Sequence, residues 1–197
     1  MTQDRPIGRR EQAKAAKRAR ILAAADRLFS EQGYAGTTTQ QIADAADVAS
    51  GTVFTYAATK AELLLMVVNH RLRDGAARGL ARAERVAEPV AATMALLAPL
   101  FELAVADPDT FVLFAREVLF GAEGEHRSEA VAAVTQIGDA IGSVLPLRSG
   151  IDPTDAGRAV LSVVLFELNR IRRGASPAGR DRVAAQVALV LYGLCDV

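Results

Sequence analysis

Only a three-residue turn, Asp47-Val48-Ala49, separates two short segments, one opening at Thr37-Thr38-Thr39 and ending near Ala46, the other running Ser50–Tyr56. Neither can hold a helix alone, because an isolated helix needs on the order of 12–15 residues before propagation outweighs nucleation. They must therefore pack on each other and on a longer neighbour. Such packing needs apolar residues on the facing sides, a small residue where the helices nearly touch, and a turn residue that tolerates positive φ. Ile42, Ala46, Val48 and Val53 supply the apolar set, Ala43 the close contact and Asp47 the turn. The pattern predicts a helix-turn-helix with Thr37 capping its first helix. Two short polar helices in an ordinary bundle would have the same spacing.

The flanks are helical as well. Ile21, Ala24, Ala25 and Leu28 recur at helical spacing within a segment from Arg10 to Gln32, and Gly33 supplies a stop. Thr59-Lys60-Ala61-Glu62 has the form of a capping box opening a helix towards Arg85, which Gly75 and Gly79 weaken. Five more helices are expected at 90–106, 108–121, 127–145, 154–173 and 178–195, with Pro89, Pro108, Pro146, Pro153 and Pro177 at starts or in linkers. No alternating run closed by an Asn-Gly or Asp-Gly turn argues for strands. The expected fold is all-α: a basic, disordered arm at 1–9, a three-helix head at 10–58, and a six-helix body at 59–197.

Zero net charge hides an asymmetry. Residues 1–73 carry 11 Lys/Arg against 7 Asp/Glu, and the rest carry 12 against 16. Most of the excess lies in Arg5, Arg9, Arg10, Lys14, Lys17, Arg18 and Arg20. A basic end joined to an acidic body points to a polyanion partner for the first part only. The lone Cys195 can neither staple the fold nor build a Cys-rich metal site, which suits a reducing compartment. No signal peptide is evident, and Val90–Phe101 and Val183–Cys195 are shorter than the ~18 apolar residues a membrane span needs. A cytoplasmic protein with no membrane association is expected.

Residues 21–64 resemble the N-terminal domain of the tetracycline-repressor (TetR) family. The resemblance is carried by Ile21-Leu22-Ala23-Ala24-Ala25, Leu28-Phe29, Gly33-Tyr34, Thr37-Thr38, Ile42-Ala43, Val48, Gly51-Thr52-Val53 and Lys60-Ala61-Glu62-Leu63. It implies a transcriptional regulator, more often a repressor, that binds double-stranded DNA. It also implies that Thr38, Gln40, Ser50, Gly51, Thr52 and Thr55 meet DNA, and that Tyr56 and Lys60 grip phosphate. Three departures stand out. Asp47 replaces the family's turn glycine. Ala49 replaces the usual Ser or Thr cap of the second helix, a role Ser50 could take over. Phe54-Thr55-Tyr56-Ala57 replaces the usual Tyr-x-His-Phe.

In the body, Met66, His70, Met94, Phe101, Phe111, Phe114, Glu117, Phe166 and Asn169 are candidate ligand-pocket residues, with plain core packing as the alternative reading. The resemblance places a pocket for a small-molecule effector in this body. The two last segments are apolar over more than one face, through residues such as Val160, Leu165, Phe166, Val187 and Leu191. A homodimer joined there is expected. No catalytic motif, cofactor motif or metal-ligand spacing is present, so no enzyme, cofactor or metal is expected. The remaining rival is a binding module that kept the head's fold and lost DNA binding.

Overall fold

The computed structural model describes residues 8–168 and 178–195. Ten helices follow one another: α1 (Arg9–Gly36), α2 (Thr39–Ala45), α3 (Ser50–Tyr56), α4 (Lys60–Ala83), α5 (Pro89–Leu96), α6 (Ala98–Ala106), α7 (Pro108–Phe120), α8 (Glu125–Val144), α9 (Pro153–Leu168) and α10 (Ala178–Leu194). Among the described residues the single extended pairing is an isolated bridge, Leu147 to Cys195. The all-α expectation holds. No single described helix is long and apolar enough to cross a membrane.

The chain divides into two compact units that meet at Val67/Val68, inside α4, rather than at its start. In the first unit, Ile21, Ala24, Ala25, Leu28 and Phe29 of α1 are buried, as are Ile42, Ala43, Ala46 and Val53. All but Phe29 were expected at the facing sides of these helices, whereas Val48 of the same expected set is half-buried. Gly33 takes φ 73° and breaks the helical course of α1, as its position before Tyr34 predicted.

The second unit shows how proline sets helix starts. Glu88, Asp107 and Asp152 each precede a proline at the first helical turn and accept backbone N–H bonds from it: Val90 at 2.9 Å, Thr110 at 3.0 Å and Thr154 at 2.9 Å. Proline needs no donor there, and the carboxylate satisfies its neighbours while favouring the positive helix end.

The expected single helix 90–106 is instead two helices bent by 55°. Pro99 is the cause. It has no N–H for the Ala95 carbonyl, and its ring crowds that carbonyl, so the helix breaks at Leu97. The body therefore has one helix more than the pattern predicted. The elbow also explains Gly75 and Gly79, which leave α4 unbroken. A Cβ on Gly75 would lie 2.7 Å from the Pro99 Cβ, and one on Gly79 would lie 2.8 Å from the Ala95 carbonyl oxygen. The two glycines let α4 approach the bend closely. The same device joins α8 to α9, where a Cβ on Gly157 would run into the carbonyl of Gly138.

Candidate nucleic-acid interface

The head is organised from the end of α1. Thr37 is buried, and its hydroxyl contacts the carbonyls of Leu28 at 3.1 Å and Gly33 at 2.9 Å. It thus closes α1 and does not cap α2. That role falls to Thr38, whose Oγ1 accepts from the Gln41 N–H at 3.2 Å while the Thr38 N–H donates to Gln41 Oε1 at 2.7 Å. The reversal at Gly33 turns Thr37 inward and leaves its neighbour at the helix entrance, which corrects the expected cap by one residue.

Between α2 and α3, Asp47 adopts φ 51°, as the turn required. Its carboxylate meets Arg20 of α1, Nη1 to Oδ2 at 3.2 Å. Ala49 precedes α3 at the N-cap position and no side chain caps it, so Ser50, already the first helical residue, does not take over the lost role. Only the backbone bond from the Thr52 N–H to the Ala49 carbonyl, 2.8 Å, closes its first turn.

The structure brings the expected DNA-facing residues onto one small unit and shows what each does without DNA. Thr38, Gln40, Gly51 and Thr55 are exposed, while Ser50, Thr52, Tyr56 and Lys60 are half-buried. Gln40 Nε2 donates to Asp44 Oδ1 at 2.8 Å, and the Thr55 hydroxyl bonds back to the Gly51 carbonyl at 3.3 Å. The Tyr56 hydroxyl donates to the Lys14 carbonyl of α1 at 3.2 Å. Lys60 Nζ stands 4.3 Å from the centroid of the Tyr34 ring, which itself packs against Phe29 at 5.6 Å. Partial burial lowers the Lys60 pKa from its usual value. These polar groups are pre-positioned by local bonds, so little side-chain freedom remains to be lost when a ligand replaces those bonds.

Beyond the eight expected positions, Phe54 is exposed on the same unit, and Arg20 and Lys14 of the basic segment adjoin it. Phe54 is 47% exposed on α3. An apolar side chain there could meet a thymine methyl. Its signal in the sequence is that Val53 and Ala57 fix the buried face and leave Phe54 off it. Arg20 and Lys14 join through contacts that no local pattern reveals. Arg9, Arg10, Lys14 and Lys17 are all exposed along the first turns of α1.

The candidate effector residues are placed less uniformly. Met66, Met94, Phe101, Phe111 and Phe114 are buried core. Glu117 is half-buried, and its carbonyl accepts from Arg127 Nε at 3.1 Å. His70 and Phe166 lie at the surface, His70 beside Asp74 at 3.9 Å and Phe166 65% exposed on α9. Asn169 lies outside the described residues. None of these lines either of two clefts in the second unit. One, of about 220 Å³, lies between α4, α5 and α8; the other, of about 320 Å³, lies between α4 and α6 and carries the Arg78–Glu102 pair at 3.7 Å. Burial of Phe101, Phe111 and Phe114 fits the core-packing alternative.

Comparison with known proteins agrees with this geometry. Residues 21–67 match the tetR family of bacterial regulatory proteins. Over 178 residues, 89% of this chain and 75% of the relative, the sequence is 30% identical to the HTH-type transcriptional regulator TtgR of Pseudomonas putida. A TetR transcriptional regulator from Rhodococcus sp. RHA1 shares the fold, with a TM-score of 0.69 at 18% identity over 91% of this chain and 97% of that one. So does Thermus thermophilus FadR, a TetR family transcriptional repressor solved in complex with lauroyl-CoA, with a TM-score of 0.67 at 24% identity over 89% of this chain and 93% of that one. The chain belongs to the TetR family of bacterial regulatory proteins.

Proposed function

We propose that this protein is a cytoplasmic repressor that binds an inverted-repeat DNA operator as a two-fold dimer and leaves it when a small, mostly apolar molecule enters its second unit. The observation that carries the reading is the head itself. A turn with Asp47 at φ 51° sets α3 against α2 and leaves Gly51, Phe54 and Thr55 exposed on α3, with Lys60 close by in sequence at the start of α4. A short helix with a small, polar outer face can enter the major groove, while flanking cations neutralise phosphate.

The proposed dimer is joined through the outer faces of α9 and α10. Val160, Val164, Leu168, Val183, Val187 and Leu191 are turned inward, whereas Phe166, Leu189 and Tyr192 are 65%, 69% and 72% exposed. Three large exposed apolar side chains on two adjoining helices favour a second copy as their cover.

Effector control is supported by the clefts of the second unit and by the lauroyl-CoA held by Thermus thermophilus FadR. α4 contributes to both units over 24 residues, about 36 Å of helix. A displacement at one end is thereby coupled to the other, and ligand and DNA must oppose each other reciprocally.

The test contrasts two variants on DNA. Lys60→Ala lowers affinity for all sequences and reduces the salt slope by about 1, whereas Thr55→Ala mainly relaxes base preference. A Lys60→Ala protein with altered preference and an unchanged salt slope would refute these roles.

A further inference from the structure

The cleft between α4, α5 and α8 has a chemistry of its own. Its floor is apolar, with Leu72, Leu96 and Ile137 each 5% exposed or less. Ala76 keeps one wall shallow, and Arg73 and Gln136 supply its polar lining. Arg73 is exposed and is the single charged residue of the lining. Its charge acts on Glu129, one α8 turn from the cleft's Ala133. That carboxylate is already engaged, by His126 Nδ1 at 3.1 Å and by Asn69 Nδ2 at 3.4 Å. Among the described residues Arg73 forms no direct ion pair. A cation at the mouth of an apolar slot, beside a side-chain amide, is complementary to a carboxylate with a hydrocarbon body.

Size narrows the class. A cavity of ~150 Å³ accommodates benzene, so one of about 220 Å³ takes roughly eight or nine non-hydrogen atoms. We propose that this cleft binds a small organic monocarboxylate with a hydrocarbon body of about seven carbons, its carboxylate on the Arg73 guanidinium and the Gln136 amide and its body on Leu72, Leu96 and Ile137. The inference rests on the effector reading above and specifies its ligand. Glu129 is already engaged by His126 and Asn69, so a cationic head group is repelled by Arg73 without gaining that carboxylate. A neutral head loses the charge-assisted bonds.

The test is calorimetric titration of the full chain, without DNA, with octanoate, octanamide and octylamine. Octanoate is expected to bind about tenfold more tightly than octanamide, with no binding of octylamine. Arg73→Gln is expected to bring acid and amide to equal affinity, and Arg73→Lys to restore part of the difference. Ala76→Leu, which adds bulk in the slot on a good helix former, is expected to abolish binding of both while the circular dichroism spectrum stays that of the unaltered chain. Equal affinities for acid and amide in the unaltered protein, a preference that survives Arg73→Gln, or no octanoate binding would each overturn the proposal. Because these titrations contain no DNA, their failure leaves the DNA-binding reading standing. A second series with operator DNA present tests the switch separately.

Discussion

Arg20 and Asp47, 27 residues apart, join α1 to the turn between α2 and α3 through an ion pair of 3.2 Å in which Asp47 is 97% exposed. An exposed pair of this kind contributes at most about 1 kcal/mol to stability. Its larger consequence is electrostatic. A carboxylate stands on the turn that leads into α3, and it occupies a cation that could otherwise face phosphate. Asp47→Gly relieves the positive φ and frees Arg20. Tighter DNA binding and a salt slope steeper by about 1 are expected, and Asp47→Asn should give the same salt effect with the backbone conformation retained. Fluorescence anisotropy over a salt series checks both; an unchanged slope in both variants would assign Arg20 no phosphate role.

Tyr56 is where the resemblance and the structure give different emphasis. The resemblance makes its hydroxyl a phosphate ligand, whereas the structure uses that hydroxyl to hold the Lys14 carbonyl of α1. Tyr56→Phe should lower unfolding stability by about 0.5–1.5 kcal/mol and weaken DNA binding with no change in salt slope, since no charge is lost. Urea titration and anisotropy together measure this.

Thr37 is small, buried and bonded to the carbonyls of Leu28 and Gly33. Thr37→Val keeps the shape and leaves both carbonyls without their partner, at an expected cost of about 1–3 kcal/mol. Thr38→Ala removes an exposed cap for about 1 kcal/mol. The order of the two losses in denaturant distinguishes the buried lock from the cap.

Glu129 gives a pH signature. Burial alone would raise its pKa, but hydrogen bonding and charge from His126, the Asn69 bond and the Arg73 charge together hold it below the usual glutamate value. A carboxylate whose folded pKa is depressed adds stability above its unfolded pKa, about 4.3, and loses it as pH falls through the folded value. Glu129→Gln should therefore be less stable than the unaltered chain near neutral pH, with the difference shrinking in acid. A difference that grows as pH falls would contradict the assignment.

Local signals carried much of this fold. The spacing of Ile21, Ala24, Ala25 and Leu28, the glycine stop at Gly33 and the turn at Asp47 all act within a few residues, so the sequence alone places the head's core. Pro99 was equally local, and its effect on 90–106 follows from its missing donor. The orientation of α9 and α10 was not legible. Helices apolar nearly all round give no preferred face, and only the packing of α10 against α9 and α5 decides that Leu191 turns in while Leu189 turns out. Nor was the Tyr56–Lys14 contact, which joins residues 42 apart and depends on how α3 lies along α1. The cleft between α4, α5 and α8 was missed for a related reason: Ala76, Ala77, Ala133 and Ala140 help to line it, whereas a sequence search for pockets favours large aromatic residues such as Phe101, Phe111 and Phe114, which are buried in the core.

Two α3 helices reading DNA from one dimer would select a symmetric site, and selection of bound fragments from random double-stranded DNA measures this. Enrichment is expected for an inverted repeat whose half-site centres lie one helical turn, ~34–36 Å, or a multiple of it apart. Phe166→Glu with Leu189→Glu is expected to reduce binding to a level that single half-sites also support. Enrichment of no sequence over the starting pool, or of a single half-site with full affinity, would contradict paired reading by α3.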